Sequence, residues 1–222
     1  MVKTHFSDDF AIARRNMVKE GLFARGIRDK RVLEVMGWMP RHVFVDEALW
    51  GEAYGDCSLP IGHGQTISRP YIVARMCELL KLSGSEKLLE VGLGSGYHAA
   101  VLSKLVRSVF AIERIPELAE RARKKLEWLG IKNVIVRIGD GSVGWKSFAP
   151  FDRIVVSAAA AEIPSALPEQ LTDSGRMVVP IGAQEEQCVM LLERRGDTIL
   201  RKEIERVRFV RLVGEQRKRV GT

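Results

Sequence analysis

From Lys87 onward, short apolar runs rich in β-branched residues alternate with stretches whose apolar positions recur every three or four residues. Such alternation predicts parallel strands joined by right-handed crossover helices. The runs beginning at Leu88, Ser108, Asn133, Phe151 and Arg176 read as strands ending near Val91, Glu113, Ile138, Ser157 and Ile181. Two more, Cys188 to Leu192 and Val207 to Val213, are expected to join the sheet as antiparallel additions. A helix is expected over His98 to Val106. Another opens at Pro116, carries the stripe Leu118, Ala122, Leu126 and Leu129, and closes at Gly130. The fold class is therefore α/β, a doubly wound and mostly parallel sheet of seven strands.

Ahead of this core, residues 8 to 50 read as helical. Asp8 and Asp9 stand where a helix N-terminus favours negative charge, before Phe10, Ile12 and Met17. A second helix is expected from Asp29 to Met36, stopped by Pro40. Tyr54 to Pro70 reads as a loop, broken by Gly55, Pro60, Gly62 and Gly64 and supplied with small polar groups at Gln65, Thr66 and Ser68. Ser68-Arg-Pro70 also fits an N-cap with proline in the first turn of a helix running from Tyr71 to Lys81. The expected organisation is an N-terminal helical extension with a capping loop (1–84), packed on a core (85–222), the two making one compact unit.

The pointed chemistry lies in Leu88-Leu-Glu-Val-Gly-Leu-Gly-Ser-Gly-Tyr97. A buried strand ends in glycines and runs straight into a helix, whose free N–H groups suit a ligand held close to the backbone. Gly94-Ser-Gly96-Tyr-His-Ala99 satisfies the dinucleotide pattern. Glu90, Gly92, Gly94 and Gly96 also resemble the E/D-x-G-x-G-x-G pattern of S-adenosylmethionine-dependent methyltransferases. An acid so near a pyrophosphate is electrostatically awkward, which favours the second reading. Glu113 stands about 20 residues beyond the turn, where an acid binds ribose hydroxyls in nucleotide-binding α/β folds. Asp140, at the end of the third strand, faces the same crevice and can accept a hydrogen bond from an adenine amino group.

Composition narrows the setting. At 222 residues and 46% apolar, the chain is neither disordered nor equipped with a run long enough to span a bilayer. The first residues lack the apolar stretch of a signal peptide, so a cytoplasmic location is expected. Cysteines 57, 77 and 188 form no C-x-x-C pair, and histidines 5, 42, 63 and 98 show no ligand spacing, so reduced thiols and no metal are expected. The net charge of +7 would attract acidic partners, but the basic residues are dispersed and the densest cluster is Arg217-Lys-Arg219. A solvated surface is the simpler reading, with no nucleic-acid partner.

More of the chain then matches than one glycine turn. Leu59-Pro-Ile-Gly-His-Gly-Gln-Thr-Ile-Ser-Arg-Pro70 resembles the loop that distinguishes protein-L-isoaspartate (D-aspartate) O-methyltransferases. Glu90 to Gly96, Gly139-Asp-Gly141, Pro150-Phe-Asp152, Ala158-Ala-Ala160, Gln170-Leu171, Gly175-Arg176, Pro180-Ile-Gly182 and Val207 to Leu212 are similar to the family as well. Glu90 stands where Asp is common, Leu93 replaces a small residue, and Arg211 replaces a customary proline at the substrate-facing edge.

This resemblance implies a Rossmann-like methyltransferase using S-adenosyl-L-methionine and releasing S-adenosyl-L-homocysteine. Its implied substrates are isoaspartyl-containing proteins and peptides, methylated on the free α-carboxylate and so committed to repair through a succinimide. A carboxylate nucleophile is already ionised at neutral pH, so no general base is needed, and no His/Asp dyad is evident in the sequence. Ser68 is implied as the hydroxyl that orients the carboxylate. Gln65, Thr66 and Ile67 close over the cofactor with it, and Gly92, Gly94, Ser95 and Gly96, beside Glu90, make room for the methionine part. Glu113 and Arg114 take the ribose end, and Asp140 and Gly141 the adenine. Backbone groups near Val210 and Leu212 could pair with a substrate peptide as an added strand. A monomer is expected. Two alternatives stay open: a methyltransferase acting on RNA or a small molecule, and a nicotinamide-dependent oxidoreductase.

Overall fold

The computed structural model describes residues 8–183 and 186–212. Its frame is a seven-stranded sheet. In chain order the strands are β3 (Lys87–Val91), β4 (Ser108–Glu113), β5 (Val134–Ile138), β6 (Phe151–Val156), β7 (Leu171–Ala183), β8 (Glu186–Arg195) and β9 (Thr198–Val207). A separate two-stranded hairpin, β1 (Leu59–Gly62) with β2 (Gln65–Ile67), precedes them. The spatial order is β5-β4-β3-β6-β7-β8-β9, parallel through β7 and antiparallel thereafter. The strand order reverses between β3 and β6, and a ligand crevice in an open α/β sheet forms at the carboxyl ends of such a pair.

Local sequence explains the elements nearest that crevice. Strand β3 is buried on both faces, which is why it reads as a continuous apolar run. After it, Gly96 adopts φ +87° as the N-cap of helix α4 (Tyr97–Leu102). A Cβ there would lie 3.0 Å from the Cβ of Ala122, so the third glycine lets α4 sit against α5 (Pro116–Trp128). The α5 stripe is the expected one, with Leu118, Ala122 and Leu126 buried.

The N-terminal region is helical but irregular. It comprises α1 (Ala11–Asn16), a π-helical stretch (Met17–Phe23), α2 (Lys30–Trp38) and 3-10 turns before the hairpin. Asp29 caps α2 by accepting from the N–H groups of Arg31 and Val32. Met17, Leu22, Val32, Met36 and Phe44 belong to the same buried cluster as Leu88, Val101 and Ala122. These N-terminal residues thus share one core with the sheet.

Three expectations need correction. Tyr54 to Pro70 is not all loop: His63 (φ +54°) and Gly64 (φ +67°) form a two-residue turn between β1 and β2, with Leu59, Ile61 and Ile67 buried. Ser68 does not cap the following helix α3 (Pro70–Leu79). Arg69 occupies the cap position without a side-chain bond, and the remote Asp56 accepts from the Tyr71 N–H at 3.3 Å instead. The last strand is not Val207 to Val213 but β9, which turns back at Gly196. Residues 208 to 212 leave the sheet, Val213 and the Arg217-Lys-Arg219 cluster lie outside the described residues, and so does His5.

Candidate active site

A cleft opens at the predicted switch point, above the carboxyl ends of β3, β4 and β6. Its floor is Glu90 to Ser95, one side is Glu113 to Ile115, and the other is Ser157 with Ala158. The hairpin supplies a roof through Gln65, Thr66, Ile67 and Ser68. The chain after β9 closes the remaining edge through Val210, Arg211 and Leu212. Arg121, on α5, ties the roof down by donating to the Ile61 carbonyl at 3.0 Å.

Nearly all the residues singled out in the sequence meet here. Gln65, Thr66, Ile67, Ser68, Glu90, Gly92, Gly94, Ser95, Glu113, Arg114, Gly141, Val210 and Leu212 line the cleft. Gly96 does not, because it is turned to the α4–α5 contact. Asp140 lies just outside the lining, with its carboxylate accepting from the Ser142 N–H at 2.8 Å. Gly141 forms that part of the wall, and a Cβ on it would stand 2.4 Å from Val91 Cγ1.

Glu113 is fixed by backbone amides. Its two carboxylate oxygens accept from the N–H groups of Gly94 at 2.8 Å and Ile115 at 2.9 Å. Each oxygen keeps further acceptor capacity, which suits a pair of vicinal hydroxyls. Ser68 is half-buried, and its hydroxyl has no hydrogen-bond partner among the described residues.

Sequence reasoning missed two residues at the base of the cleft. His98 and Ser157 converge there on Glu90. His98 Nδ1 lies 3.2 Å from Ser157 Oγ and 3.8 Å from Glu90 Oε1, and Ser157 donates to that oxygen at 3.5 Å. On its far side, His98 Nε2 is 3.5 Å from the thiol of buried Cys77. Glu90 is fully buried, and its second oxygen, Oε2, has no partner among the described residues. Burial, reinforced by the nearby Glu113 carboxylate, pushes the Glu90 carboxyl well above the ordinary carboxylate range, against a smaller opposing pull from Ser157. Burial pushes His98 the other way, down to about 4, so it is neutral at physiological pH. The available signal was that His98 follows Gly96 by two residues, in the first turn of α4.

The strap over the open edge is fixed by its backbone. The Ala159 N–H donates to the Val210 carbonyl at 2.8 Å, and the Leu212 N–H donates to the Ala159 carbonyl at 2.7 Å. Gln187 holds the preceding residue, accepting from the Phe209 N–H at 2.6 Å and donating to its carbonyl at 3.2 Å. Since neighbouring residues of an extended chain present their amides to opposite edges, Arg211 is the residue whose N–H and C=O face away from Ala159.

The profile of the family described as "Protein-L-isoaspartate(D-aspartate) O-methyltransferase (PCMT)" matches residues 13–217, nearly the whole chain. The chain belongs to this family. A protein-L-isoaspartate O-methyltransferase of Geobacter metallireducens is 49% identical over 208 residues, covering 93% of this chain and 96% of its relative. One from Syntrophobacter fumaroxidans is 52% identical over 207 residues, covering 93% and 97%. A Plasmodium falciparum protein solved under the same family description, in complex with S-adenosyl-L-homocysteine, superposes with a TM-score of 0.77 at 26% identity, covering 91% of this chain and 99% of that one. Membership makes the chain an S-adenosylmethionine-dependent methyltransferase of Rossmann-like fold and sets aside the nicotinamide reading. The cleft fits that cofactor on its own evidence: a paired-amide carboxylate at Glu113 for hydroxyls, and an orphaned buried carboxyl oxygen at Glu90 for a cation. Among the described residues no helix is long and apolar enough to cross a membrane, and no cluster of three or more potential metal ligands occurs.

Proposed function

We propose that this chain methylates the free α-carboxylate of L-isoaspartyl residues in damaged proteins and peptides, the first step of their repair through a succinimide. The observation that carries this reading is the juxtaposition of the serine-bearing hairpin with the glycine turn across one cleft, in a chain of this family. When bound, S-adenosylmethionine supplies an electrophilic methyl on a sulfonium centre.

The residues divide the remaining tasks. Glu113, with Arg114 beside it, holds the ribose end, while Gly141 walls the adenine end and Asp140 fixes that turn through Ser142. Gly92, Gly94 and Ser95 leave room for the methionine part over Glu90. Gln65, Thr66 and Ile67 exclude water from above, and excluding it favours a reaction in which opposite charges are neutralised. Ser68, its hydroxyl uncommitted, donates to the substrate carboxylate and aligns it. No base is needed, because a carboxylate with a pKa of about 4 is already ionised at neutral pH. In keeping with this, His98 is buried and turned to Glu90 and Ser157. The outward N–H and C=O of Arg211 offer an edge for a peptide to pair with as an added strand.

Three free cysteines support a reducing, cytoplasmic setting. The deciding experiment compares methyl incorporation into an isoaspartyl peptide and its aspartyl twin. Labelling of the isoaspartyl peptide alone is expected; equal labelling of both, or labelling of RNA only, would overturn the assignment.

A further inference from the structure

Glu90 is a costly residue in its position. A carboxyl with zero exposure, one weak donor and one orphaned oxygen stands at the floor of a cleft that must take a cationic donor. The groups around it supply no compensating positive charge at contact distance. Glu113 approaches from β4 with the same sign as an ionised Glu90, and Cys77 on α3 is a buried neutral thiol. His98 and Tyr97 on α4 are buried, and Arg114 and Arg211 lie on the cleft walls without an ion pair to Glu90 among the described residues. One polarity satisfies every contact of the relay: thiol to His98 Nε2, His98 Nδ1–H to Ser157 Oγ, and Ser157 O–H to Glu90 Oε1. That leaves Oε2 to carry the acid proton.

We propose that Glu90, held by the Ser157–His98 relay, is a switched counter-charge, neutral in the empty cleft and ionised only against the sulfonium of the bound donor. Donor binding expels its proton to solvent. Once the methyl has left as an ester, the product is a neutral thioether, and Glu90 takes a proton back. The two proton transfers cancel over a turnover, so the overall reaction stays balanced. The carboxyl then favours the donor over its demethylated product by their difference in charge, which helps the product leave. His98 is a positioning residue in this scheme: it orients Ser157 and keeps a second charge out of the floor.

This inference rests on the donor reading above, and the test separates the two. Calorimetric titrations of the full chain with S-adenosylmethionine and with S-adenosylhomocysteine, run at one pH in phosphate and in Tris, report protons released from the difference in apparent heat. The expected result is about one proton released per donor bound and far fewer for the product, with Glu90→Gln abolishing the difference. Equal release by the two ligands would show that Glu90 answers the ammonium they share and overturn the switch, as would release by neither while both bind. Failure of both ligands to bind would instead refute the donor site itself. Should Glu90→Gln not fold, the donor–product comparison in the unaltered protein decides the question alone.

Discussion

The Glu113 carboxylate accepts the Gly94 amide at 2.8 Å, tying the acid at the end of β4 to the turn that follows β3. Two segments that the sequence separates are thereby set as a single ligand-facing unit. Glu113→Ala removes both the hydroxyl acceptor and the brace on the turn. Donor affinity is expected to fall by about 1–3 kcal/mol, measured by calorimetry. Unchanged affinity would take Glu113 out of the site.

Ser68 and Asp56 separate chemistry from stability. Asp56, not Ser68, serves the first turn of α3, and it also pairs with Arg25 and, at 3.8 Å, with Arg69. Ser68→Ala should lower kcat about a hundredfold, as for removal of one oriented hydrogen-bond donor, with donor affinity and Tm unmoved. A fall in Tm matching the loss of turnover would restore the capping role.

Asp56→Ala should do the reverse. The expected cost is about 1 kcal/mol of unfolding free energy, read by denaturant titration, from the lost cap and a partly exposed ion pair. Turnover measured well below the melting range should change little by comparison. A variant as stable as the parent would show that the remote cap contributes nothing.

Gly96→Ala combines two penalties, a side chain at φ +87° and a Cβ 3.0 Å from Ala122. A destabilisation of about 1–3 kcal/mol is expected, with separation of α4 from α5. Retention of the parent Tm would mean that the α4–α5 contact relaxes freely.

The pH dependence follows from His98, whose folded pKa of about 4 lies below its ordinary value of 6.5. The folded state therefore binds fewer protons. The stability this confers is complete above pH 6.5 and is lost as pH falls toward 4, at about 1.4 kcal/mol per unit. Glu90, raised rather than lowered, works in the opposite sense and offsets part of the loss. His98→Gln should thus flatten the fall in Tm between pH 7 and pH 5. An unchanged slope would show that His98 is protonated as easily folded as unfolded.

What could be read from the sequence was whatever periodicity and glycine placement record directly. β4 falls on Ser108–Glu113 as expected, and α5 begins at Pro116 with the expected stripe. The β1–β2 hairpin was hidden because Pro60, Gly62 and Gly64 interrupt the very alternation that Leu59, Ile61 and Ile67 would otherwise show. β9 was hidden for the opposite reason: it is largely exposed, so no apolar run marks it, whereas Val207 and Phe209 pack on the core and Val210 and Leu212 line the cleft. The Glu90–His98–Ser157 cluster was out of reach, since Ser157 stands 59 residues from His98 and only the pairing of β3 with β6 unites them.

The roof at 59–68 and the strap at 209–212 are far apart in the sequence, yet both must dock before the cleft has all its sides. The glycine turn and its acids thus hold three sides of the cleft without the strap, and the last side rests on two backbone bonds by which Ala159 captures Val210 and Leu212.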